Sequence, residues 1–240
     1  MEINILNLAS GARQAKGLTV IIDVFRAFSV EAYFAHNDAE KIIPVRTVEE
    51  AFEFKSSNPE LILCGERGGA KIEGFDFGNS PSEIENKSFS GKTVVHTTSA
   101  GTLGITSAAD ADEILGGSLV NAKAIAEYIR RKAPDTVSLV AMGLAGEKET
   151  DEDKLCAQYI KSILENSPIN DMEKRIEGLK YTDGAKFFDK TQQNVFPEAD
   201  FHLSTAYDKF DFVLRLKKDE KTGVSYMEKI NVLSQKRGLL

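Results

Sequence analysis

Leu61-Ile62-Leu63-Cys64-Gly65-Glu66-Arg67-Gly68-Gly69-Ala70-Lys71-Ile72-Glu73-Gly74-Phe75-Asp76-Phe77-Gly78-Asn79-Ser80-Pro81 joins a short apolar run to a loop dense in glycine and in charge of both signs. The run has the length and character of a strand buried on both faces. The recurring glycines let the backbone take positive φ and approach a ligand closely. Glu66, Arg67, Lys71, Glu73 and Asp76 place both signs of charge in the same loop. Such a segment builds little core and suits the holding of an anion together with a metal ion; the plainer reading is a long surface loop of turns. A buried strand that delivers its loop in this way belongs to an α/β fold, where ligands bind beyond the carboxyl ends of the strands.

The rest of the chain repeats that unit. Apolar runs at 18–23, 41–45, 61–64, 92–97, 113–116 and 137–142 read as strands, with helical patterns between them. Thr47 with Glu50 is a capping-box pattern ahead of the apolar face Val48, Ala51 and Phe52. Asn121 is placed to cap a helix through Ala122, Ile125, Ala126 and Ile129 that stops near Pro134. Val30, Tyr33 and Phe34 mark a helix after the first of these strands, and Leu155, Tyr159 and Ile163 mark another over 151–165. This alternation predicts a largely parallel or mixed central sheet flanked by helices in one domain over 1–240. The part from 170 onward breaks the rhythm. A helical stretch at 181–189 and two strands at 210–216 and 224–230 read as a C-terminal α+β extension of the same domain.

Composition bounds the function. At 42% hydrophobic and 28% charged residues the chain has ample material for a core. A net charge of −7 argues against a nucleic-acid surface, although a local pocket on an acidic protein can still be positive. Two cysteines are too few for a disulfide framework and predict buried, reduced thiols. The start Met1-Glu2-Ile3-Asn4 lacks a basic, apolar leader, and no run has the length of a membrane span. The expectation is a soluble, cytoplasmic protein with no membrane partner, with a homodimer as the weaker expectation from its size class.

Four blocks in register carry a family resemblance. The loop at 64–81 is similar to the CGERGG-x-K-I-x-GFDFGNSP block of the 2-phosphosulfolactate phosphatases (the ComB family). Ile22-Asp23-Val24-Phe25-Arg26-Ala27 resembles the IDVFRA segment of that family, and Thr97-Thr98-Ser99-Ala100-Gly101-Thr102 its TT-x-x-GT block. Gly143-Leu144-Ala145-Gly146 with Glu152-Asp153 and Cys156-Ala157 is similar to its G-x-x-G…ED-x-x-CA block. The resemblance covers 18–165 and implies a sheet arrangement of the family's own. It also implies Mg²⁺-dependent hydrolysis of 2-phospho-3-sulfolactate to 3-sulfolactate and phosphate, a step toward coenzyme M in some organisms.

The residues suit such chemistry. Asp23 is read as a metal ligand or a nucleophile and Arg26 as a partner of phosphate or sulfonate, with an internal Asp–Arg pair as the structural alternative. Glu66, Asp76 and Asn79 offer the hard oxygen donors that Mg²⁺ prefers, and Arg67 and Lys71 offer cations for a polyanion. Asp76 and Asn79 can instead organise turns, and Ser80 either meets an anion or caps one. Thr97, Thr98, Gly101 and Thr102 form a hydroxyl-rich turn ahead of a helix at 103–109; Thr102 also has ordinary N-capping open to it. Thr150 to Asp153 can complete a capping box and favour the helix dipole. Their role in holding Mg²⁺, or as general base, comes from the resemblance. A C-x₅-R phosphatase loop is absent, since Arg67 stands three residues after Cys64, and Phe25 excludes a D-x-D nucleophile loop. His36, His96 and His202 lack metal-ligand spacing and read as structural or exposed; His96 stands where an apolar residue is usual, which leaves an approach to the site as its alternative. The rival readings are a phosphatase of another small phosphorylated hydroxy acid and a non-catalytic binder of small anions.

Overall fold

The computed structural model describes residues 1–232. In its first half, β1 (Glu2–Asn7), α1 (Leu8–Ala12), β2 (Gly17–Ile22), α2 (Ala27–His36), β3 (Lys41–Pro44), α3 (Val48–Ser57), β4 (Ile62–Arg67) and β5 (Ala70–Lys71) follow one another. Then come α4 (Pro81–Ile84), β6 (Thr93–Thr97), α5 (Gly101–Ser107), β7 (Ala111–Gly117), α6 (Ala122–Lys132), β8 (Thr136–Ala141) and α7 (Asp151–Leu164). The last part adds α8 (Met172–Leu179), α9 (Glu198–Thr205), β9 (Phe212–Lys218) and β10 (Ser225–Asn231).

The strands form one mixed ten-stranded sheet in the order β1-β8-β2-β7-β9-β10-β3-β6-β4-β5. It contains two parallel blocks, β1-β8-β2-β7 and β3-β6-β4. The antiparallel hairpin β9–β10 lies between them and pairs with β7 on one side and β3 on the other. The C-terminal α+β part therefore supplies the seam that joins the two blocks. Its turn follows from Asp219, which accepts the N–H groups of Lys221 and Thr222, and from Gly223 at φ +73°.

Both faces of the sheet are covered, which explains the unbroken apolar runs in the strands. Along β2, Val20 and Ile22 point to one side and pack with Ile125, Ile129 and Ile160 of α6 and α7. Ile21 points to the other and packs with Phe28, Phe34 and Ile105 of α2 and α5. Each such side chain contributes roughly 1.5–3 kcal/mol by leaving water.

Several local expectations need correction. Thr47 does cap α3, accepting the Glu50 N–H at 3.1 Å, but the Glu50 carboxylate reaches back to the N–H of Arg46. Asn121 does not cap α6; its side chain accepts the Ser118 N–H inside a 3₁₀ turn, Leu119–Asn121. The stretch 181–189 contains a 3₁₀ turn, Ala185–Phe188, while helices form at α8 and α9 on either side. The thiols of Cys64 and Cys156 are free and buried.

Candidate active site

β2 and β4 stand six places apart in the sheet, yet the loops that leave their carboxyl ends meet. A twist of about 20–25° per strand accumulates to roughly 120–150° over those steps and, with the accompanying curl, brings the opposed block round. Direct contacts fix the meeting. Arg26 after β2 donates from Nη2 to the carbonyl of Gly69 at 2.9 Å, and Glu66 at the end of β4 accepts the Ser99 N–H at 2.7 Å. An ideal Cβ on Gly101 would lie 2.9 Å from Ala27 Cβ and 3.3 Å from both Asp23 Oδ2 and Thr98 Oγ1, so glycine permits this approach of α5 to the β2 loop. The result is a cavity of about 470 Å³ whose wall includes Asp23, Arg26, Glu66, Asn79, Glu152, Asp153 and Lys186.

Each carboxylate there has a distinct environment. Asp23 is buried, and its Oδ1 accepts the Ala27 N–H at 3.1 Å, which leaves Oδ2 toward Gly101. Burial pushes Asp23 up to about 6; the Ala27 N–H pulls it back and the nearby Glu66 charge pushes it further. Glu66 is anchored on both oxygens, by Ser99 N–H and by Gly69 N–H at 2.7 Å. Gly68 and Gly69, at φ +60° and +85°, make the tight return into β5 that aims this second N–H.

Asp153 brackets the ends of two strands, accepting Val24 N–H and Gly143 N–H at 2.8 Å each. Burial, then the charges of Glu152 and Asp23, raise it well above the usual carboxylate range. Glu152 is buried with Oε2 unpartnered among the described residues, and burial pushes it up to about 7. The expected capping box at Thr150 does not form. Thr150 Oγ1 makes no cap bond, Asp153 is drawn off to the strand ends, and the Asp151 N–H goes to Asp183.

The cations divide differently from expectation. Arg26 is 3% exposed and pairs not with Asp23 but with Asp200 at 2.7 Å, while also donating to the carbonyls of Val195 and Gly69. Asp200 in turn accepts Ser80 Oγ at 2.8 Å and the Ser82 N–H at 2.9 Å. Arg26 is thus a clamp that ties three segments at the cavity wall, and Ser80 is part of its support. Arg67 points outward and donates to Thr97 Oγ1 and to the carbonyl of Glu66. Lys71 is exposed and lines a smaller adjoining cavity with Asn79 and Ser80.

Other expected ligands turn away from the cavity. Asp76 is exposed, accepts the Leu63 N–H of β4 at 2.8 Å and pairs with Lys55 of α3, so it pins the returning loop against β4. Thr98 and Thr102 close on each other, with Thr102 Oγ1 donating to the Thr98 carbonyl at 2.8 Å; Ser99 and Ala100 face the space instead. Asn79 stays at the wall, with its Oδ1 3.2 Å from His96 Nε2. His96 is fully buried and its Nδ1 lies 2.9 Å from Glu31. Burial opposes a charge on that ring, but its buried neighbours, Cys64 and then Glu31, outweigh it and raise His96. A protonated His96 donates to Asn79 Oδ1 and leaves the Asn79 amino group for the cavity.

Lys186, Gln192 and Phe196 also line the cavity, and sequence reading passed over all three. They come from an irregular stretch with no periodicity to mark it. A density of aromatic residues around Lys186 (Phe187, Phe188, Phe196) was the available signal.

Whether Mg²⁺ fits can be judged from the donor set. Among the described residues no three His, Cys, Asp or Glu side chains converge as a metal cage. Mg²⁺ rarely uses such a cage; it takes one or two carboxylates, keeps waters and binds substrate phosphate. Asp23, a carboxylate at the cavity wall with the like charge of Glu66 beside it, fits that pattern.

Residues 5–225 match the family model described as 2-phosphosulpholactate phosphatase. The chain is 31% identical over 204 residues to a probable 2-phosphosulfolactate phosphatase of Bacillus subtilis (strain 168), covering 84% of this chain and 88% of the other. Its identity to the protein of the same description from Clostridium acetobutylicum is 37% over 202 residues, 81% of this chain and 82% of that one. With the one from Caldicellulosiruptor saccharolyticus it is 44% over 154 residues, 62% of this chain and 63% of that one. The chain belongs to the 2-phosphosulpholactate phosphatase family.

Proposed function

We propose that this chain is a phosphoric monoester hydrolase that uses Mg²⁺ to cleave 2-phospho-3-sulfolactate to 3-sulfolactate and phosphate. The observation that carries the reading is the gathering of Asp23, Glu66 and Glu152, with the half-buried Lys186, around one cavity. Family membership supports this choice of substrate. Phosphoryl transfer depends chiefly on positioning and on compensation of charge, and both are available here.

Asp23 and Glu66 are the residues that would hold Mg²⁺, which when bound neutralises charge on the phosphoryl oxygens. Asp23 Oδ1 is fixed by the Ala27 N–H, so Oδ2 is the atom assigned to attack phosphorus. The P–O bond to C2 of the substrate breaks, and Glu152 gives its proton to the departing alkoxide. Water then attacks the phosphoryl-aspartate, loses its proton to Glu152 and releases phosphate from Oδ2. Measuring phosphate release across phosphorylated hydroxy acids, with and without Mg²⁺, tests the function. Release that needs Mg²⁺ and favours the sulfonated ester is expected; ligand binding with no release would leave a binding protein instead.

The buried acid has a consequence for the metal-free protein. The Glu152 carboxyl moves from an ordinary 4.5 to about 7 in the folded state. A raised acid stabilises the fold fully below its unfolded value and loses that contribution as pH rises through the folded one. Thermal melting without divalent cations should therefore show Glu152→Gln flattening the stability loss between pH 4.5 and 7.5. The difference from wild type is on the order of 3 kcal/mol across that window. Parallel wild-type and variant curves would show that Glu152 ionises normally.

A further inference from the structure

Lys186 is the feature that the reaction as described leaves unused. It stands in the 3₁₀ turn Ala185–Phe188 and reaches the cavity from the C-terminal segment. Its Nζ lies 5.8 Å from the ring centre of Phe25, 5.5 Å from Phe187 and 5.3 Å from Phe196. Among the described residues it forms no ion pair within 4.0 Å and no hydrogen bond. Arg26, the other cation at the wall, has both terminal nitrogens committed to Asp200, Val195 and Gly69. The uncommitted ammonium donors of the cavity are thus those of Lys186.

The substrate presents three anionic groups, and they differ chemically. The phosphoryl group carries the most charge and calls for several donors and a cation. The sulfonate is a monoanion, spread over three oxygens and weakly hydrated. A single ammonium ringed by aromatic faces suits the second kind of group: the rings keep water away and strengthen one charge-assisted contact in a low-dielectric setting. Burial also pushes the Lys186 ammonium down, and the carboxylates of Glu152, Asp183 and Asp23 counter that; a bound anion would complete the compensation.

We propose that Lys186, in its box of Phe25, Phe187 and Phe196, is the specificity-determining residue that binds the sulfonate of the substrate. The assignment rests on the proposed sulfonated ester as substrate, but not on the catalytic route. It explains how a cavity of acidic walls selects a substrate that carries an extra negative charge.

The test compares 2-phospho-3-sulfolactate with 2-phospholactate, the same ester without the sulfonate, in wild type, Lys186→Met and Lys186→Arg. Lys186→Met should lower the preference for the sulfonated ester, as a ratio of kcat/KM, by about 30- to 100-fold, chiefly through KM, whereas Lys186→Arg keeps most of it. An unchanged ratio, with both esters losing equally, would overturn the assignment and place Lys186 at the phosphoryl end or in the fold. Calorimetry of 3-sulfolactate against lactate repeats the comparison without turnover. Wild type should bind the sulfonate at least about tenfold tighter, and Lys186→Met should erase the difference. Equal binding in wild type, or a difference that survives the substitution, would equally overturn it. Absence of phosphate release with the sulfonate preference intact would reject the catalytic reading and leave Lys186 as assigned.

Discussion

Asp23→Asn should lower kcat by about a thousandfold or more with little change in thermal stability. The side chain keeps its shape, and an amide oxygen can still accept the Ala27 N–H that Oδ1 accepts now. What disappears is the charge and nucleophilicity of Oδ2, together with one of the two carboxylates assigned to Mg²⁺. Because the native carboxyl is pushed up to about 6 by burial, the uncharged amide fits the folded site at no electrostatic loss. A melting temperature equal to or above that of wild type should therefore accompany the loss of turnover. Steady-state phosphate release and differential scanning fluorimetry on the same preparation check both halves. Retention of full activity would remove Asp23 from phosphorus and from the metal.

The second large effect is expected at Asp200, far along the chain from the motifs. Asp200→Ala should destabilise the protein by about 3–5 kcal/mol and abolish activity together with it. The carboxylate is fully buried and holds three partners: the Arg26 guanidinium, Ser80 Oγ and the Ser82 N–H. Removing it leaves the Arg26 charge buried against the rings of Phe187 and Phe196 with two carbonyl acceptors and no counter-ion. The double variant Asp200→Ala/Arg26→Met should recover much of the stability, since it removes the stranded charge as well, but not the activity. Chemical denaturation of the single and double variants measures the coupling. Additive losses would show that the pair does not act as a clamp.

The parts of the site that the sequence disclosed are those held by backbone grammar. Asp23 and Glu66 each follow a β-rich run, and the glycines after Glu66 announce a tight return, so their place at strand ends was readable. Residues whose role depends on partners distant in sequence were not. Arg26 looked like a substrate ligand because its true partner, Asp200, lies 174 positions away. Thr98 and Thr102 looked like anion donors, yet at a helix start that packs against Ala27 each hydroxyl is taken by the other residue's backbone. Asp76 looked like a metal ligand, whereas its carboxylate is taken by the Leu63 N–H of β4, 13 positions away.

The same reasoning applies to the fold. Alternating strands and helices were legible because burial on both faces imposes continuous apolar runs. The strand order was not, because it depends on the C-terminal hairpin entering between β7 and β3. Local pattern shows that 210–216 and 224–230 are strands but carries no mark of where in a sheet they pair. Lys186 was hidden for a related reason: its turn has no period, and its surroundings come from Phe25 and Phe196 as much as from its own neighbours.

Crystals grown with orthovanadate and Mn²⁺ in place of phosphate and Mg²⁺ address the central proposition most directly. The prediction is vanadate in the cavity against Asp23, with the anomalous signal of Mn²⁺ beside Asp23 and Glu66. Vanadate and metal bound at another surface, with the cavity between the β2 and β4 loops left to solvent, would contradict it.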